Sequence, residues 1–263
     1  MSVRYLAGAA VTVPLLPVMY LQGRRIRAKV PDLPEAKGPS GCSGGPSSPQ
    51  SAPLNLVAIG ESTVAGVGVA THEQGLTGHF ARRLSALTQR PVNWNVFARS
   101  GYTAARAATG LIPRIPQRPT DLVLMGLGGN DAFALRSPER FVEDMHTAVE
   151  AVRRRLGPVP ILIASLPPIG DFPAFPWLIR RVMGGLIGLY CEQLHTAAVQ
   201  WSDVEFCEER VTFESWIQKY PSDLSVEDFF SDGVHPSEIT YQSWGEDLAE
   251  TVMARGLLPV QPV

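Results

Sequence analysis

From Leu54 onward, short apolar runs alternate with longer helical patterns, and this alternation constrains the fold more than any other feature. The predicted strands are Asn55–Ile59, Val92–Phe97, Leu122–Leu127, Val159–Ser165 and Val204–Cys207. The predicted helices are Gly75–Gln89, Thr103–Ile112, Pro138–Leu156, Pro176–Gln200 and Ser237–Arg255. Strands and helices that alternate in this way form a parallel sheet with helices on both faces, joined by right-handed connections. Loops that follow such strands meet at one edge of the sheet, where α/β proteins bind ligands.

The first predicted strand ends in a tight turn, Gly60-Glu61-Ser62, which exposes a serine at that edge. Serine is a weak nucleophile by itself and needs a base. His235 can act as the base because the unperturbed pKa of histidine is about 6.5. Asp232 precedes it by three residues, so its carboxylate can hold the second ring nitrogen within one local turn and stabilise the imidazolium. The sequence therefore predicts a Ser-His-Asp triad.

Two more clusters lie between the serine and the histidine: Gly101 by itself, and Gly128-Gly129-Asn130-Asp131. A glycine backbone can approach a ligand closely, and an asparagine side chain offers N–H donors without a competing charge. Each cluster also has an ordinary interpretation. A serine after a strand is usually an N-cap, Gly-Asn-Asp is usually a turn, and Asp-Gly-Val-His-Pro fits a loop before a helix.

Taken together, the four blocks resemble the SGNH hydrolases, also called the GDSL esterase/lipase family. The first block of that family is usually Gly-Asp-Ser, and here one acidic residue replaces another. The matching blocks are Gly60-Glu61-Ser62, Gly101, Gly128-Gly129-Asn130-Asp131 and Asp232 to His235. The resemblance extends over residues 54 to 250. It implies an α/β fold: a three-layer α/β/α sandwich with a five-stranded parallel sheet, flavodoxin-like, in the strand order 2-1-3-4-5.

The resemblance also implies a role for each block. Ser62 is the expected nucleophile, with Asp232 and His235 as its catalytic partners. The expected oxyanion hole consists of the backbone N–H groups of Ser62 and Gly101 and the amide of Asn130. Glu61 and Asp131 are expected to be structural, Asp131 as a hydrogen-bonding support for the loop of Asn130.

These residues predict a serine esterase that hydrolyses short- to medium-chain acyl esters, with lysophospholipids and thioesters as further candidates. Two alternatives stay open: a carbohydrate O-deacetylase of the same fold, and an inactive membrane-tethered lipid-binding protein. The intact set of Ser, Gly, Asn, Asp and His disfavours the inactive protein. The expected substrate is a small-molecule acyl ester, and neither a cofactor nor a metal is expected.

A segment rich in proline and aromatic residues follows the fourth predicted strand, at the same edge as Ser62. Small apolar ligands are bound mainly by such side chains. The expected substrate-binding residues are Phe172, Phe175, Trp177 and Leu178. The alternative is that these residues cap the core or form a dimer contact.

The first 30 residues differ from the rest of the chain. Tyr5 to Gln22 carries no charge, and Arg24, Arg25, Arg27 and Lys29 follow it. Eighteen or so uncharged residues reach the lower end of a membrane span, although Pro14 and Pro17 would kink a helix there. The positive-inside rule predicts a location in the cytoplasm or on the cytoplasmic face of a membrane rather than secretion. The alternative is a helix packed on the protein itself.

The chain thus divides into three predicted parts. Residues 1–30 are a membrane-associating apolar segment, residues 31–53 are a linker rich in Pro, Gly and Ser, and residues 54–256 are the hydrolase domain. The net charge of -2 over 263 residues gives no reason to propose nucleic acid as a partner. Three widely separated cysteines show neither a metal-binding spacing nor a disulfide framework.

Overall fold

A computed structural model describes residues 3–44, 52–208, 213–218, 220 and 224–258. Its described part contains one six-stranded sheet. The strands are β1 (Ser40–Ser43), β2 (Leu54–Gly60), β3 (Val92–Ala98), β4 (Leu122–Gly126), β5 (Ile161–Ile163) and β6 (Val204–Phe206). Their order across the sheet is β1-β3-β2-β4-β5-β6. Strands β2 to β6 are parallel to one another, and β1 adds a sixth, antiparallel strand at the edge of the predicted five-stranded sheet. The five predicted strands and their order 2-1-3-4-5 are therefore confirmed.

Helices flank this sheet. They are α1 (Val3–Thr12), α2 (Leu16–Arg27), α3 (Leu76–Thr88), α4 (Ala104–Gly110), α5 (Gly129–Phe133), α6 (Pro138–Leu156), α7 (Trp177–Ala198), α8 (Phe213–Ile217) and α9 (Glu238–Ala254). Short 3-10 turns cover Val13–Leu15, Ile112–Arg114, Ile169–Asp171 and Val226–Phe229. Helix α3 packs against α9, and α6 packs against both α4 and α7. These contacts produce the layered α/β/α architecture that the sequence predicts.

The local signals for α6 show how the sequence sets these boundaries. The side chain of Ser137 accepts a hydrogen bond from the backbone N–H of Arg140, and Pro138 occupies the first helical turn. The helix stops at Gly157, whose φ of 84° few other residues adopt. The face between these ends buries apolar side chains such as Phe141 and Val149.

The sixth strand, β1, shows that part of the predicted linker belongs to the sheet. β1 lies within residues 31–53 and pairs antiparallel with β3, so Gly41 stands opposite Trp94. A Cβ at Gly41 would come within 2.3 Å of the Trp94 ring, so this glycine permits close packing rather than flexibility. Further upstream, the backbone N–H of Ala36 donates to the carbonyl of Ala65. A composition rich in Pro, Gly and Ser therefore does not prevent this segment from pairing with the sheet edge.

The amino-terminal segment forms α1, a 3-10 turn and α2, and both helices contact α7. Met19 is buried, and Tyr5 and Ile26 pack against the core. Pro14 and Pro17 lie where the helical run is interrupted. Within the described residues, no helix combines the length and the apolar character needed to cross a bilayer.

The position of β1 decides where the chain can be shortened. Removing residues 1–30 should leave a folded domain, because Glu35 to Ser43 keep their place on the sheet. Removing residues 1–50, the cut that a linker would allow, deletes β1 and uncovers Trp94, which is 3% exposed. We expect the shorter protein to lose about 2 kcal/mol of unfolding free energy relative to the 1–30 deletion. Urea unfolding of both proteins measures this difference, and equal stability would restore the linker interpretation.

Candidate active site

The site begins where β2 ends. Gly60 allows the turn because a Cβ there would come within 2.5 Å of the Gly126 carbonyl oxygen on β4. The backbone N–H of Glu61 donates to that same carbonyl, and the carbonyl of Ser62 accepts from Val67. Ser62 therefore leaves the sheet on a turn fixed at both ends, and its side chain lines a cleft at the carboxyl edge.

The Glu61 side chain binds the third block of the site, Gly128-Gly129-Asn130-Asp131. Its buried carboxylate accepts the backbone N–H of Gly129 at 2.7 Å and that of Asn130 at 2.8 Å. It also accepts a hydrogen bond from the side-chain amide of Asn130. Gly129 permits this approach, since a Cβ there would lie 2.9 Å from the same carboxylate. The acidic residue before the serine thus fixes the backbone and the side chain of Asn130.

The Asn130 amide group carries two N–H donors. One of them is directed to Glu61, which leaves the second for a ligand in the cleft. Because the neighbouring backbone is also bonded to Glu61, the amide has little freedom to rotate away. This arrangement is suited to donating a hydrogen bond to a ligand in the cleft.

Burial raises the pKa of Glu61 from 4.5 to about 7, although the N–H groups of Asn130 and Gly129 favour the charged form. The folded protein therefore binds a proton at Glu61 more readily than the unfolded chain does. The contribution of Glu61 protonation to the free energy of unfolding is therefore complete below pH 4.5 and is lost as the pH rises through about 7. A shift of this size corresponds to about 3 kcal/mol.

Glu61→Gln should therefore remove part of the pH dependence of stability. The free energy of unfolding of the variant minus that of wild type should increase by about 3 kcal/mol from pH 4.5 to pH 8. Wild type loses this stability as its buried carboxyl ionises, and the variant has no such group. Urea unfolding across this pH range gives the difference. Glu73→Gln, at an exposed glutamate, is the matched control and should follow wild type. Parallel curves for wild type and Glu61→Gln would contradict the expectation.

Asp131 links two loops of the site. Its fully buried carboxylate accepts the backbone N–H of Ala104 at 2.9 Å, at the start of α4. Burial raises the pKa of Asp131 to about 6. Gly101 lies three residues before Ala104, with a φ of 79° that favours glycine and with open space around its Cα. Asp131 thus connects the loop of Asn130 to the loop of Gly101, in agreement with the supporting role expected from the sequence.

Asp232 and His235 form a compact local unit. The Asp232 Oδ2 atom lies 2.7 Å from His235 Nδ1, and its Oδ1 atom accepts the backbone N–H groups of Val234 and His235. Burial opposes the charge on Asp232, but these hydrogen bonds outweigh it and hold its pKa below the usual range. The Asp232 side chain is fully buried, whereas 22% of the His235 side chain is exposed. When Nδ1 donates to Asp232, Nε2 is the acceptor nitrogen of the neutral ring.

Ser62, Gly101, Asn130 and His235 all line one cleft of about 180 Å³. The fold therefore brings together residues from four separated blocks, and Asp232 stands behind His235. Aromatic residues form much of the remaining wall. They are Phe133, Phe172, Phe213, Phe230 and Trp244. Only Phe172 among these five is predicted from the sequence.

The aromatic segment after β5 divides into parts with different surroundings. Phe172 lines the cleft, and Phe175 packs behind it with ring centroids 5.5 Å apart. Leu178 is half-buried against the core. Trp177 is 76% exposed and lines a larger neighbouring cavity of about 640 Å³ along α7. Of the predicted substrate-binding residues, Phe172 has the placement that this role requires.

The same segment also supports the histidine loop. The backbone N–H of Ala174 donates to the carbonyl of Gly233, and a Cβ at Gly233 would lie 3.0 Å from the Ala174 side chain. The Phe172 ring meets the Phe230 ring with centroids 5.3 Å apart. The wall of the cleft and the loop of Asp232 and His235 therefore pack directly against each other.

Comparison with known proteins gives a family match for this region. The sequence pattern of the GDSL-like Lipase/Acylhydrolase family matches residues 58–243. The matched range includes all four blocks of the site. No curated protein sequence matches the chain.

Solved structures with the same fold share little sequence with the chain. A member of the lipolytic protein G-D-S-L family from Veillonella parvula has 16% identity and a TM-score of 0.57, covering 77% of this chain and 99% of that one. A lipase/acylhydrolase from Enterococcus faecalis has 18% identity and a TM-score of 0.53, covering 80% and 100%. A two-domain esterase active on acetylated mannans has 14% identity and a TM-score of 0.53, covering 80% and 53%.

Proposed function

Since the chain belongs to the GDSL-like lipase/acylhydrolase family, a family of carboxylic ester hydrolases, we propose that it hydrolyses short- to medium-chain acyl esters through Ser62, His235 and Asp232. The observation that carries the proposal is the shared cleft of Ser62, Gly101, Asn130 and His235, with Asp232 bonded to the far ring nitrogen. Lysophospholipids and thioesters are candidate substrates within this class.

The proposed reaction has two halves. Ser62 Oγ attacks the ester carbonyl carbon while His235 Nε2 takes the hydroxyl proton, and that proton then leaves with the alcohol as the ester C–O bond breaks. In the second half, His235 deprotonates a water that attacks the acyl-enzyme, which releases the acid and restores Ser62. Asp232 stabilises the imidazolium in both halves through its 2.7 Å contact with Nδ1.

The oxyanion of each tetrahedral intermediate needs donors. We assign the backbone N–H groups of Ser62 and Gly101 and the second N–H of the Asn130 amide. All three residues line the cleft, and Glu61 and Asp131 hold the loops that carry Asn130 and Gly101. Such donors stabilise developing charge most when they do not have to reorganise during the reaction.

The size of the cleft favours small acyl groups. Its volume of about 180 Å³ lies below the roughly 300–1,000 Å³ typical of sites for drug-sized ligands. The decisive experiment is hydrolysis of p-nitrophenyl esters from acetate to decanoate, with Ser62→Ala as the blank. We expect kcat/KM to be greatest at the short end of the series. The absence of hydrolysis of every ester by a folded protein would favour the inactive lipid-binding alternative.

Phe172 should set the chain-length preference. Phe172→Ala enlarges the cleft, and each additional methylene that becomes buried contributes about 0.8 kcal/mol. We expect kcat/KM to rise for hexanoate and octanoate relative to acetate. Trp177→Ala is the matched control, because Trp177 lines the neighbouring cavity instead. A uniform loss over all chain lengths in Phe172→Ala would indicate that this ring serves only the packing of the histidine loop.

A carbohydrate O-deacetylase is the second candidate. The small cleft suits an acetyl group, and the similar two-domain esterase is active on acetylated mannans. Acetate release from an acetylated polysaccharide, compared with hydrolysis of p-nitrophenyl butyrate, separates the two candidates. A deacetylase should prefer the polysaccharide and reject butyrate.

We further propose that residues 5–22 keep the enzyme at the cytoplasmic face of a membrane. Support comes from the uncharged segment, the basic cluster that follows it and the apolar side chains that α1 and α2 leave exposed. Deleting residues 1–30 should move the protein from the membrane fraction to the soluble fraction while hydrolysis of water-soluble esters continues.

A further inference from the structure

The large apolar side chains that are exposed in the described part of the chain are concentrated on one group of elements. Six of them lie on α1, α2 and the turn between them: Leu6, Val11, Val13, Val18, Tyr20 and Leu21. Phe133 and Leu135 lie at the end of α5, and Trp177 and Val199 lie at the two ends of α7. Helices α1, α2 and α5 all contact α7. Exposed apolar residues that cluster in this way indicate an interaction surface.

The charged residues of the amino-terminal helices all have one sign. Arg24, Arg25, Arg27 and Lys29 are exposed at the end of α2, and residues 3–31 contain no acidic residue. Helices with an exposed apolar side and adjoining basic residues lie in the plane of anionic membranes. A protein partner would need a matching acidic and apolar surface, whereas an anionic bilayer presents both properties everywhere.

Exposed apolar side chains also lie beside the two cavities. Phe133 lines the cleft and is 47% exposed, and Trp177 lines the neighbouring cavity. The two cavities share Pro168 and Ile169 as wall residues. Phe133 and Trp177 thus present exposed apolar side chains at these cavities, on α5 and on α7, and α1 and α2 also contact α7.

We propose that α1, α2 and the exposed residues Phe133, Leu135 and Trp177 form one docking surface for an anionic lipid bilayer. The helices lie in the interface with their apolar side chains in the lipid, and the four basic residues contact the anionic headgroups. This inference rests on the proposed membrane association and specifies its partner. It does not depend on catalysis.

The test is flotation of the full-length protein with two kinds of vesicle. One contains phosphatidylcholine alone, and the other also contains about 30% phosphatidylglycerol, which makes its surface anionic. Wild type and Ser62→Ala should float with the anionic vesicles and much less with the neutral ones. The triple variant R24Q/R25Q/R27Q should bind the anionic vesicles on the order of 100-fold more weakly, because each basic residue contributes roughly fivefold. R114Q/R118Q/R154Q removes the same charge from exposed arginines elsewhere and should float like wild type.

The apolar contribution is tested by V11D/V18D and, outside the amino-terminal helices, by Leu135→Asp, at a residue that lines neither cavity. Each of these two variants should reduce flotation by roughly tenfold or more. Unchanged hydrolysis of a water-soluble ester would show that the variant domain is folded. Equal flotation with neutral and anionic vesicles would overturn the inference and leave membrane association intact. Failure of wild type to float on either vesicle would overturn both. A wild-type dimer that V11D/V18D converts to a monomer would assign the surface to a second copy and overturn the inference.

Discussion

Ser62→Ala should lower kcat for ester hydrolysis on the order of 10⁶-fold, the loss typical when a nucleophilic serine is removed. Without Ser62 Oγ no acyl-enzyme forms, and only the oxyanion donors continue to assist a direct attack by water. The side chain lines the cleft and its turn is fixed by backbone hydrogen bonds, so the fold should be unchanged. Rates on p-nitrophenyl acetate and a thermal unfolding curve provide the two measurements.

Ser100→Ala is the matched control, because Ser100 lines the same cleft. Its backbone N–H donates to Glu35, a contact that the substitution preserves. We expect near wild-type activity from this variant. An organophosphate should add once to wild type and to Ser100→Ala, at the peptide that contains Ser62, and should not add to Ser62→Ala. Labelling of Ser62→Ala at another serine would refute the assignment.

The sheet could be predicted because its physical cause is recorded locally in the sequence. Strands covered on both faces by helices, such as Leu122–Gly126, consist of continuous apolar residues, and this pattern can be recognised without knowing the partner strands. β1 has no such pattern. Its stability comes from backbone pairing with β3 and from the contact of Gly41 with Trp94, and both depend on where a residue about 50 positions away lies.

The residues of the site also divide into those that the sequence predicts and those that it does not. The residues assigned to the chemistry follow strand ends or form a short local motif, so spacing predicts that they converge. The aromatic wall does not follow from spacing: Phe213 and Trp244 lie on helices with no motif, and only tertiary packing brings them to the cleft. Phe230 is different, because it lies two residues before Asp232 and could have been suspected from its position.

Asn130→Ala should lower kcat by about 10² to 10³ with little change in KM, because the second N–H of the amide stabilises charge that develops only in the transition state. The variant keeps the backbone hydrogen bonds of Gly129 and Asn130 to Glu61, so the loop should stay in place. Gly101→Ala would be a poorer test. Its backbone donor cannot be deleted, and a φ of 79° would strain any side chain.

Variants of Glu61 provide a second test, because Glu61 binds the Asn130 side chain. They separate the positioning of Asn130 from the chemistry of its amide. Glu61→Gln keeps the size of the side chain but has one acceptor oxygen for the donors that the carboxylate now binds. It should lower kcat while KM stays close to wild type. Glu61→Asp keeps the carboxylate and should retain more activity. If Glu61 acts only through Asn130, the double variant E61Q/N130A should lose no more than Asn130→Ala alone. Additive losses would show that Glu61 supports the site by another route, and an unchanged kcat in Asn130→Ala would reduce Asn130 to a turn residue.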